Sequence, residues 1–163
     1  MTEQEIAAVL QRARDAGVVQ MIVTGASEEG SRSALELARS HPGELFATAG
    51  VHPHHASEYS ARVEATLEEL LEDSLVAAVG ECGLDFFRNF SPPEDQERAF
   101  RGHIEIAIEC GAPLFLHGGI DLGIKRFPDP RHRRHQGRLV GDQVIGEALQ
   151  TGVDNAATAT QGE

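Results

Sequence analysis

Glu81 and His117 are the two residues of this chain best suited to bind a divalent metal ion. Glu81 follows one short apolar segment, and His117 ends another. A carboxylate and an imidazole are common ligands of catalytic metal ions, and a metal ion turns bound water into a nucleophile at neutral pH. An unpaired buried carboxylate is costly, so the alternative is that Glu81 caps a turn or pairs with a nearby arginine.

Other polar residues occupy equivalent places. Thr24 and His52 also follow apolar segments, so four successive segments end in a polar side chain. In parallel α/β architectures, functional residues collect at the carboxyl ends of the strands. We therefore expect these polar residues to meet on one rim. Asp85, which follows soon after Glu81, either orients a ligand or caps a turn.

The remaining histidines and cysteines have simpler interpretations. We interpret His54 and His55 as solvated loop residues and His103, which lies within a helical pattern, as structural. Cys82 is expected to be a small packing residue, and both cysteines are expected to be reduced thiols. The His-x-x-His spacing of residues 132–135 lies in a basic run that is most simply a solvated loop.

Alternating helix and strand patterns must position these residues. Apolar strand patterns cover residues 18–23, 45–51, 75–79 and 113–116. Thr2 and Glu5 form a capping-box pattern at the first helix. Ser91 is the expected cap of the fourth helix, which begins with prolines. Strands and helices that alternate at about 30-residue spacing are typical of a parallel sheet.

The pattern changes after His117. Residues 118–163 are expected to be a weakly structured C-terminal tail with one short helix near 142–150. Residues 1–117 carry 8 Lys+Arg and 20 Asp+Glu, out of a net charge of -12 for the whole chain. This acidity argues against nonspecific coating of DNA but not against a metal site, where the ion supplies positive charge. With no long apolar run and an acidic N-terminus, the chain is expected to be cytoplasmic.

Four motifs resemble the TatD family of metal-dependent hydrolases. They are Thr-Ala-Gly-Val-His-Pro-His at 48–54, Ala-Val-Gly-Glu-Cys-Gly-Leu-Asp-Phe at 78–86, the segment 92–100 that contains Glu-Asp-Gln-Glu-Arg-Ala-Phe, and Pro-Leu-Phe-Leu-His at 113–117. Their order and spacing agree with the family over roughly residues 5–117. The resemblance implies a partial TIM-type (β/α) barrel with about four parallel strands in residues 1–117.

The resemblance also implies an activity and roles for residues. It implies hydrolysis of phosphodiester bonds in DNA or RNA from the 3′ end, with a divalent metal ion such as Mg²⁺, Mn²⁺ or Zn²⁺. Glu81 matches the catalytic glutamate that contacts the metal ions, and His117 matches a metal ligand. His52 matches a residue near the substrate phosphate, and Asp85 is expected to support substrate binding from behind the metal ligands.

The chain also departs from the family pattern. The opening strand with its His-x-His ligands and the later metal-binding His and Asp have no counterpart, so we expect truncation at the N-terminus and divergence after His117, as a frameshift would produce. Unclosed barrel edges predict self-association. A non-catalytic remnant or interaction module and an amide or ester hydrolase therefore remain alternatives. A nucleotide-binding protein is disfavoured, because no glycine-rich phosphate loop follows any strand.

Overall fold

The computed structural model describes residues 2–117, which form a four-stranded parallel sheet with helices between successive strands. The strands lie in sequence order, β1-β2-β3-β4. Their bounds are β1 Met21–Val23, β2 Leu45–Ala49, β3 Val76–Cys82 and β4 Leu114–Leu116. The helices are α1 Glu3–Asp15, α2 Glu28–Ser40, α3 Ala61–Leu71 and α4 Pro93–Cys110, and a 3₁₀-helix covers Pro53–Glu58.

This architecture confirms the expected partial (β/α) barrel with four parallel strands. The expected tail at residues 118–163, with its helix near 142–150, lies outside the described residues. Within residues 2–117, every helix is too short or too polar to cross a bilayer.

Two strand boundaries differ from the prediction. β1 begins at Met21 rather than at residue 18, and Val19 before it is 80% exposed. The apolar segment at residues 18–23 therefore begins before the residues of β1 that pair with β2. β3 continues through Cys82, so Glu81 lies within a strand rather than after one. The register between β3 and β4 shifts between Gly80 and Cys82, which lets the pairing continue past the predicted end.

The helix starts follow the sequence in one case and not in another. The capping box is present, because Glu5 N–H donates to Thr2 Oγ1 and Thr2 N–H donates to a Glu5 carboxylate oxygen. The predicted cap of α4 is wrong: Pro92 is the N-cap, and no side chain caps the helix. Ser91 is instead buried, and its hydroxyl donates to the carbonyl of His54 at 2.9 Å. Ser91 therefore connects the start of α4 to the 3₁₀-helix.

The main core lies between the sheet and the helices. Leu35, Leu45 and Leu67 are almost fully buried in it. A smaller cluster contains Cys82, Leu84, Phe100 and Ile104 beneath the loop that follows β3. Cys82 is completely buried there, which confirms its packing role, and neither cysteine forms a disulfide.

His103 connects α4 to the end of β2. Its side chain is completely buried, Nδ1 donates to the carbonyl of Ala99 at 2.6 Å, and Nε2 accepts from the backbone N–H of Val51 at 2.9 Å. Both ring nitrogens are therefore satisfied in the neutral form, which confirms the structural role. Because Val51 directly precedes His52, this contact also holds the backbone that carries a candidate site residue.

The burial of His103 predicts a dependence of stability on pH. Burial lowers the pKa of His103 to about 4, although the hydrogen bond to Ala99 opposes this. As the pH falls through about 6.5, the His103 imidazole therefore becomes protonated in the unfolded chain but stays neutral in the folded chain. Stability is fully present above that pH and is lost as the pH falls towards 4, by roughly 2 kcal/mol between pH 7.5 and 5.

Urea unfolding of the parent chain and of His103→Gln at both pH values measures this effect. His103→Gln lowers stability at pH 7.5 but should lose about 2 kcal/mol less on acidification. The other titrating groups are present in both proteins, so the difference isolates His103. Identical pH dependence in the two proteins would contradict the assignment.

Candidate metal centre

Three of the predicted site residues converge at the carboxyl ends of β2, β3 and β4. His117 Nδ1 lies 2.8 Å from Glu81 Oε1 and 2.9 Å from His52 Nε2. The distance between His52 Nε2 and Glu81 Oε1 is 3.8 Å. The three side chains are largely but not fully buried. Three of the four residues expected on one rim are therefore in contact, although they lie 65 positions apart at the extremes. The fourth, Thr24, is exposed after β1 and is not part of this contact.

Two glycines allow the strands to come this close. A Cβ on Gly50, just after β2, would collide with the backbone of Gly80 in β3. A Cβ on Gly80 would collide with the carbonyl of Phe115 in β4, and its φ of 137° also disfavours other residues. The peptide bond between Gly80 and Glu81 is cis. Glycine at these two positions is therefore required to place Glu81 beside His117.

The residue after β1 that supports the site is Gly25. Its carbonyl accepts from the backbone N–H of Glu81 at 2.8 Å, and its N–H donates to the buried Thr48 hydroxyl at 3.0 Å. Sequence reasoning pointed to Thr24 and missed this backbone role. The available signal was the residue type, a glycine just after a strand: a Cβ at Gly25 would collide with the Thr48 carbonyl and the Ser31 hydroxyl.

Protons cannot be placed so that every contact among His52 Nε2, His117 Nδ1 and Glu81 Oε1 is a hydrogen bond. His54 N–H donates to His52 Nδ1 at 3.1 Å, so neutral His52 carries its proton on Nε2. That proton points at His117 Nδ1, which then has no proton to donate to Glu81. The reverse tautomer of His117 would place two N–H groups face to face. A hydrogen-bond network of the protein alone therefore leaves one contact unfavourable.

A divalent cation fits this arrangement. Ligand atoms bound at about 2.1 Å around one ion are separated by roughly 3 to 3.5 Å, and Glu81 Oε1 and His117 Nδ1, which are 2.8 Å apart, are close to that separation. His117 Nε2 is buried without a hydrogen-bond partner among the described residues. It lies 3.6 Å from Asp85 Oδ2, as in sites where a carboxylate orients a metal-binding histidine. Nitrogen and oxygen donors of this kind suit a divalent ion.

Asp85 is an ionised anchor at the back of the site. Oδ2 accepts from His54 Nε2 at 2.7 Å and from the Arg88 guanidinium at 3.1 Å, and Oδ1 accepts from Arg88 N–H at 3.0 Å. Burial tends to raise the pKa of Asp85, but these hydrogen bonds outweigh it and hold the pKa well below its usual range. The sequence left open whether Asp85 orients a ligand or caps a turn. In the structure Asp85 does both, because it caps the turn at Arg88 and contacts the site histidine His54.

The interpretation of His54 as a solvated loop residue is wrong. Its side chain is 22% exposed, and its ring packs against the ring of His52 at 4.3 Å. Donor atoms of His52, His54 and His117 all lie within 4.8 Å of one another, so the three histidines could also hold an ion. Residue type gave no warning, because the burial of His54 depends on Asp85 and on the loop after β3. His55, by contrast, is exposed beside Glu58, as expected.

His52 is held in its neutral form. Burial, with a smaller contribution from the neighbouring His117, lowers the pKa of His52 to about 4, although Glu81 opposes this. A neutral imidazole with its proton on Nε2 is a hydrogen-bond donor at physiological pH. Because Nδ1 already accepts from the backbone, Nε2–H is the group that His52 offers to a ligand in the site.

Gln96 supports the site and was missed by sequence reasoning. It is completely buried near the start of α4. Its Oε1 accepts from Asp85 N–H at 2.7 Å, and its Nε2 donates to the carbonyl of Ser91 at 2.7 Å. Gln96 lies four positions before Phe100 on the buried face of the helix. Helical spacing could therefore have identified it as a buried polar residue that needs partners.

We expect Gln96→Leu to destabilise the fold and loosen the loop after β3. The substitution keeps the volume but leaves Asp85 N–H and the Ser91 carbonyl buried without partners, which costs about 1–3 kcal/mol for each group. Thermal or urea unfolding measures the loss. Gln4→Leu, on the exposed face of α1, is the matched control and should change stability by less than about 0.5 kcal/mol. Equal effects of the two substitutions would contradict this role for Gln96.

Known proteins resemble this chain in sequence and in structure. The TatD related DNase family matches residues 1–119. A protein of Erwinia amylovora named 3'-5' ssDNA/RNA exonuclease TatD is 54% identical over 109 residues, which are 67% of this chain and 42% of that protein. A protein of the same name from Musicola paradisiaca is 47% identical over 115 residues, which are 71% of this chain and 44% of that protein.

Solved structures agree with the sequence relatives. The crystal structure of YJJV, a TatD homologue from Escherichia coli, superposes with a TM-score of 0.64 at 33% identity, over 70% of this chain and 44% of that one. An uncharacterised amidohydrolase from Saccharomyces cerevisiae gives a TM-score of 0.58 at 28% identity, over 70% of this chain and 41% of that one. The chain thus spans less than half the length of these relatives. The family match covers most of the chain and the solved structures share its half-barrel, so this chain belongs to the TatD family.

Proposed function

We propose that this chain is a metal-dependent hydrolase that cleaves phosphodiester bonds in single-stranded DNA or RNA. The observation that carries the proposal is the contact between Glu81, His117 and His52 at 2.8 to 3.8 Å, with a proton arrangement that favours a cation. The relatives named 3'-5' ssDNA/RNA exonuclease support the choice of substrate and of the 3′ end.

The proposed roles follow from the contacts of each side chain. Glu81 Oε1 and His117 Nδ1 bind the ion, and Glu81 is the catalytic carboxylate. Nε2–H of His52 donates to a phosphate oxygen of the substrate, because its other nitrogen is already occupied. Asp85 acts on the substrate indirectly, by orienting His54 and His117. A bound divalent ion lowers the pKa of its water and neutralises charge that develops on the phosphate.

The identity of the ion is part of the proposal. A mixed set of imidazole and carboxylate ligands suits Zn²⁺ and Mn²⁺, whereas Mg²⁺ prefers oxygen ligands and keeps several waters. We therefore expect activity with Mn²⁺ to exceed activity with Mg²⁺. A module that retains the fold without catalysis remains the alternative, and it differs in a single respect: it degrades no nucleic acid with any of these ions.

Substitution of the catalytic carboxylate tests the activity. Glu81→Gln keeps the size of the side chain but removes its charge, and should lower Mn²⁺-dependent degradation of single-stranded DNA by at least about a hundredfold. Glu69→Gln, on the exposed face of α3, removes the same charge far from the site and should leave the rate unchanged. Activity that survives Glu81→Gln, or that persists in EDTA, would exclude the proposed mechanism. No activity in the parent chain would favour the non-catalytic module.

Self-association and a cytoplasmic location stay predictions. For self-association, the supporting observation is the apolar surface near β1, where Val19 and Ile22 are 80% and 51% exposed. Single or double substitution of these two residues by lysine should shift an assembled species towards monomer in sedimentation velocity. A parent chain that sediments as a monomer at all concentrations would contradict self-association.

A further inference from the structure

The loop that follows β3 presents two aromatic side chains to solvent beside the candidate metal centre. Phe87 is 95% exposed and Phe90 is 71% exposed. Phe86, their neighbour in the chain, packs instead against the small core cluster. Phenylalanine is usually buried, and single exposed apolar residues need no explanation. Two on one short loop next to a site, however, are an apolar surface that packing within the described residues does not use.

Phe90 is in direct contact with the histidine cluster. Its ring meets the ring of His54 edge to face, with centroids 4.6 Å apart, and His54 in turn packs against His52. A phosphodiester that accepts a hydrogen bond from His52 would therefore place its flanking nucleosides close to this ring. The outer face of Phe90 remains accessible to them.

The loop is held in place by Asp85. The Asp85 carboxylate accepts from the backbone and side chain of Arg88, and the Asp85 carbonyl accepts from Asn89 N–H at 3.0 Å. Residues 86–88 form a turn, and Asn89 after it has a φ of 51°, in the left-handed region. The exposed rings therefore project from an anchored turn, so less conformational entropy is lost when a ligand packs on them.

Because residues 1–117 are acidic, base stacking is a more suitable source of affinity for nucleic acid than contacts to phosphate. Residues 1–117 contain eight arginines and no lysine, against twenty acidic residues. Six of these arginines form salt bridges with carboxylates: Arg14, Arg32, Arg39, Arg62, Arg88 and Arg98. Little positive charge is left for the phosphate contacts that dominate most nucleic-acid binding. Base stacking on aromatic rings depends on the π-face and not on net charge.

We propose that Phe87 and Phe90 form a stacking surface for the bases that flank the scissile phosphate of a single-stranded substrate. The proposal rests on the proposed nuclease function and identifies how the same site selects its substrate. Unpaired bases expose their faces to aromatic side chains, whereas the bases of a duplex are already stacked on one another. The surface therefore favours single strands over blunt duplexes.

Binding measured separately from hydrolysis tests this proposal. A fluorescent single-stranded DNA with phosphorothioate linkages, which resist cleavage, is titrated with the full chain in Mn²⁺ and followed by anisotropy. Phe87→Ala and Phe90→Ala should each weaken binding about tenfold. Phe90→Trp should retain the parent affinity, because it keeps an aromatic face. Ile108→Ala, which truncates an exposed apolar residue of α4, is the matched control and should bind like the parent chain.

A change in the DNA provides the second arm. A strand whose three nucleotides at the 3′ end carry abasic spacers keeps its phosphates but offers no bases there. The parent chain should bind this strand about as weakly as Phe90→Ala binds the normal strand. Phe90→Ala itself should lose little more, because the two changes remove the same contact. A blunt duplex of the same sequence should bind at least about tenfold more weakly than the single strand.

The outcomes separate this proposal from the proposed function. Loss of cleavage in Glu81→Gln together with unchanged binding by Phe87→Ala and Phe90→Ala supports the nuclease and overturns the stacking surface. Base-dependent binding that both alanine variants lose supports the surface, even if the parent chain cleaves nothing. Failure of the parent chain to bind the single strand, or equal affinity for the duplex, also overturns the stacking surface.

Discussion

The close approach of β2, β3 and β4 at Gly50 and Gly80 is the constraint on which the candidate site depends. A side chain at either position would collide with the backbone of the neighbouring strand. The strand ends would then separate, and the contact of 2.8 Å between Glu81 and His117 could not form. The chemistry of the site therefore depends on two residues that have no side chain to contribute. The same crowding brings polar atoms together without enough room for water between them.

That crowding also explains the electrostatics of the centre. Burial, with a smaller contribution from His117, lowers the pKa of His52 and keeps it neutral, while donors from two sides keep Asp85 ionised. The result is a fixed negative group behind a layer of imidazoles, which is the usual order of charges around a bound cation. The Asp85 carboxylate that orients His54 also accepts a hydrogen bond from Arg88. The same group therefore holds both the site and the loop that carries Phe87 and Phe90.

The sequence was sufficient for the four parallel strands and for the three converging residues. Each lay at the end of an apolar segment, and parallel strands deliver such residues to one edge. It was insufficient for His54, Gly25 and Gln96, whose roles arise from contacts between distant segments. Ser91 shows the same limit: its type and position suited a helix cap, but a carbonyl from another segment lay within reach. Local pattern predicts elements better than it predicts which polar partner a residue finds.

The position of two polar anchors on α4 has a consequence for how this family can vary. Gln96 holds the loop after β3, and His103 holds the segment after β2. They lie seven residues apart, which is about two helical turns and roughly 10 Å along the axis. Inserting or deleting one residue between them would rotate one anchor by about 100° and detach it from its loop. Substitutions on the exposed face of α4 should therefore be tolerated, whereas insertions and deletions between Gln96 and His103 should not.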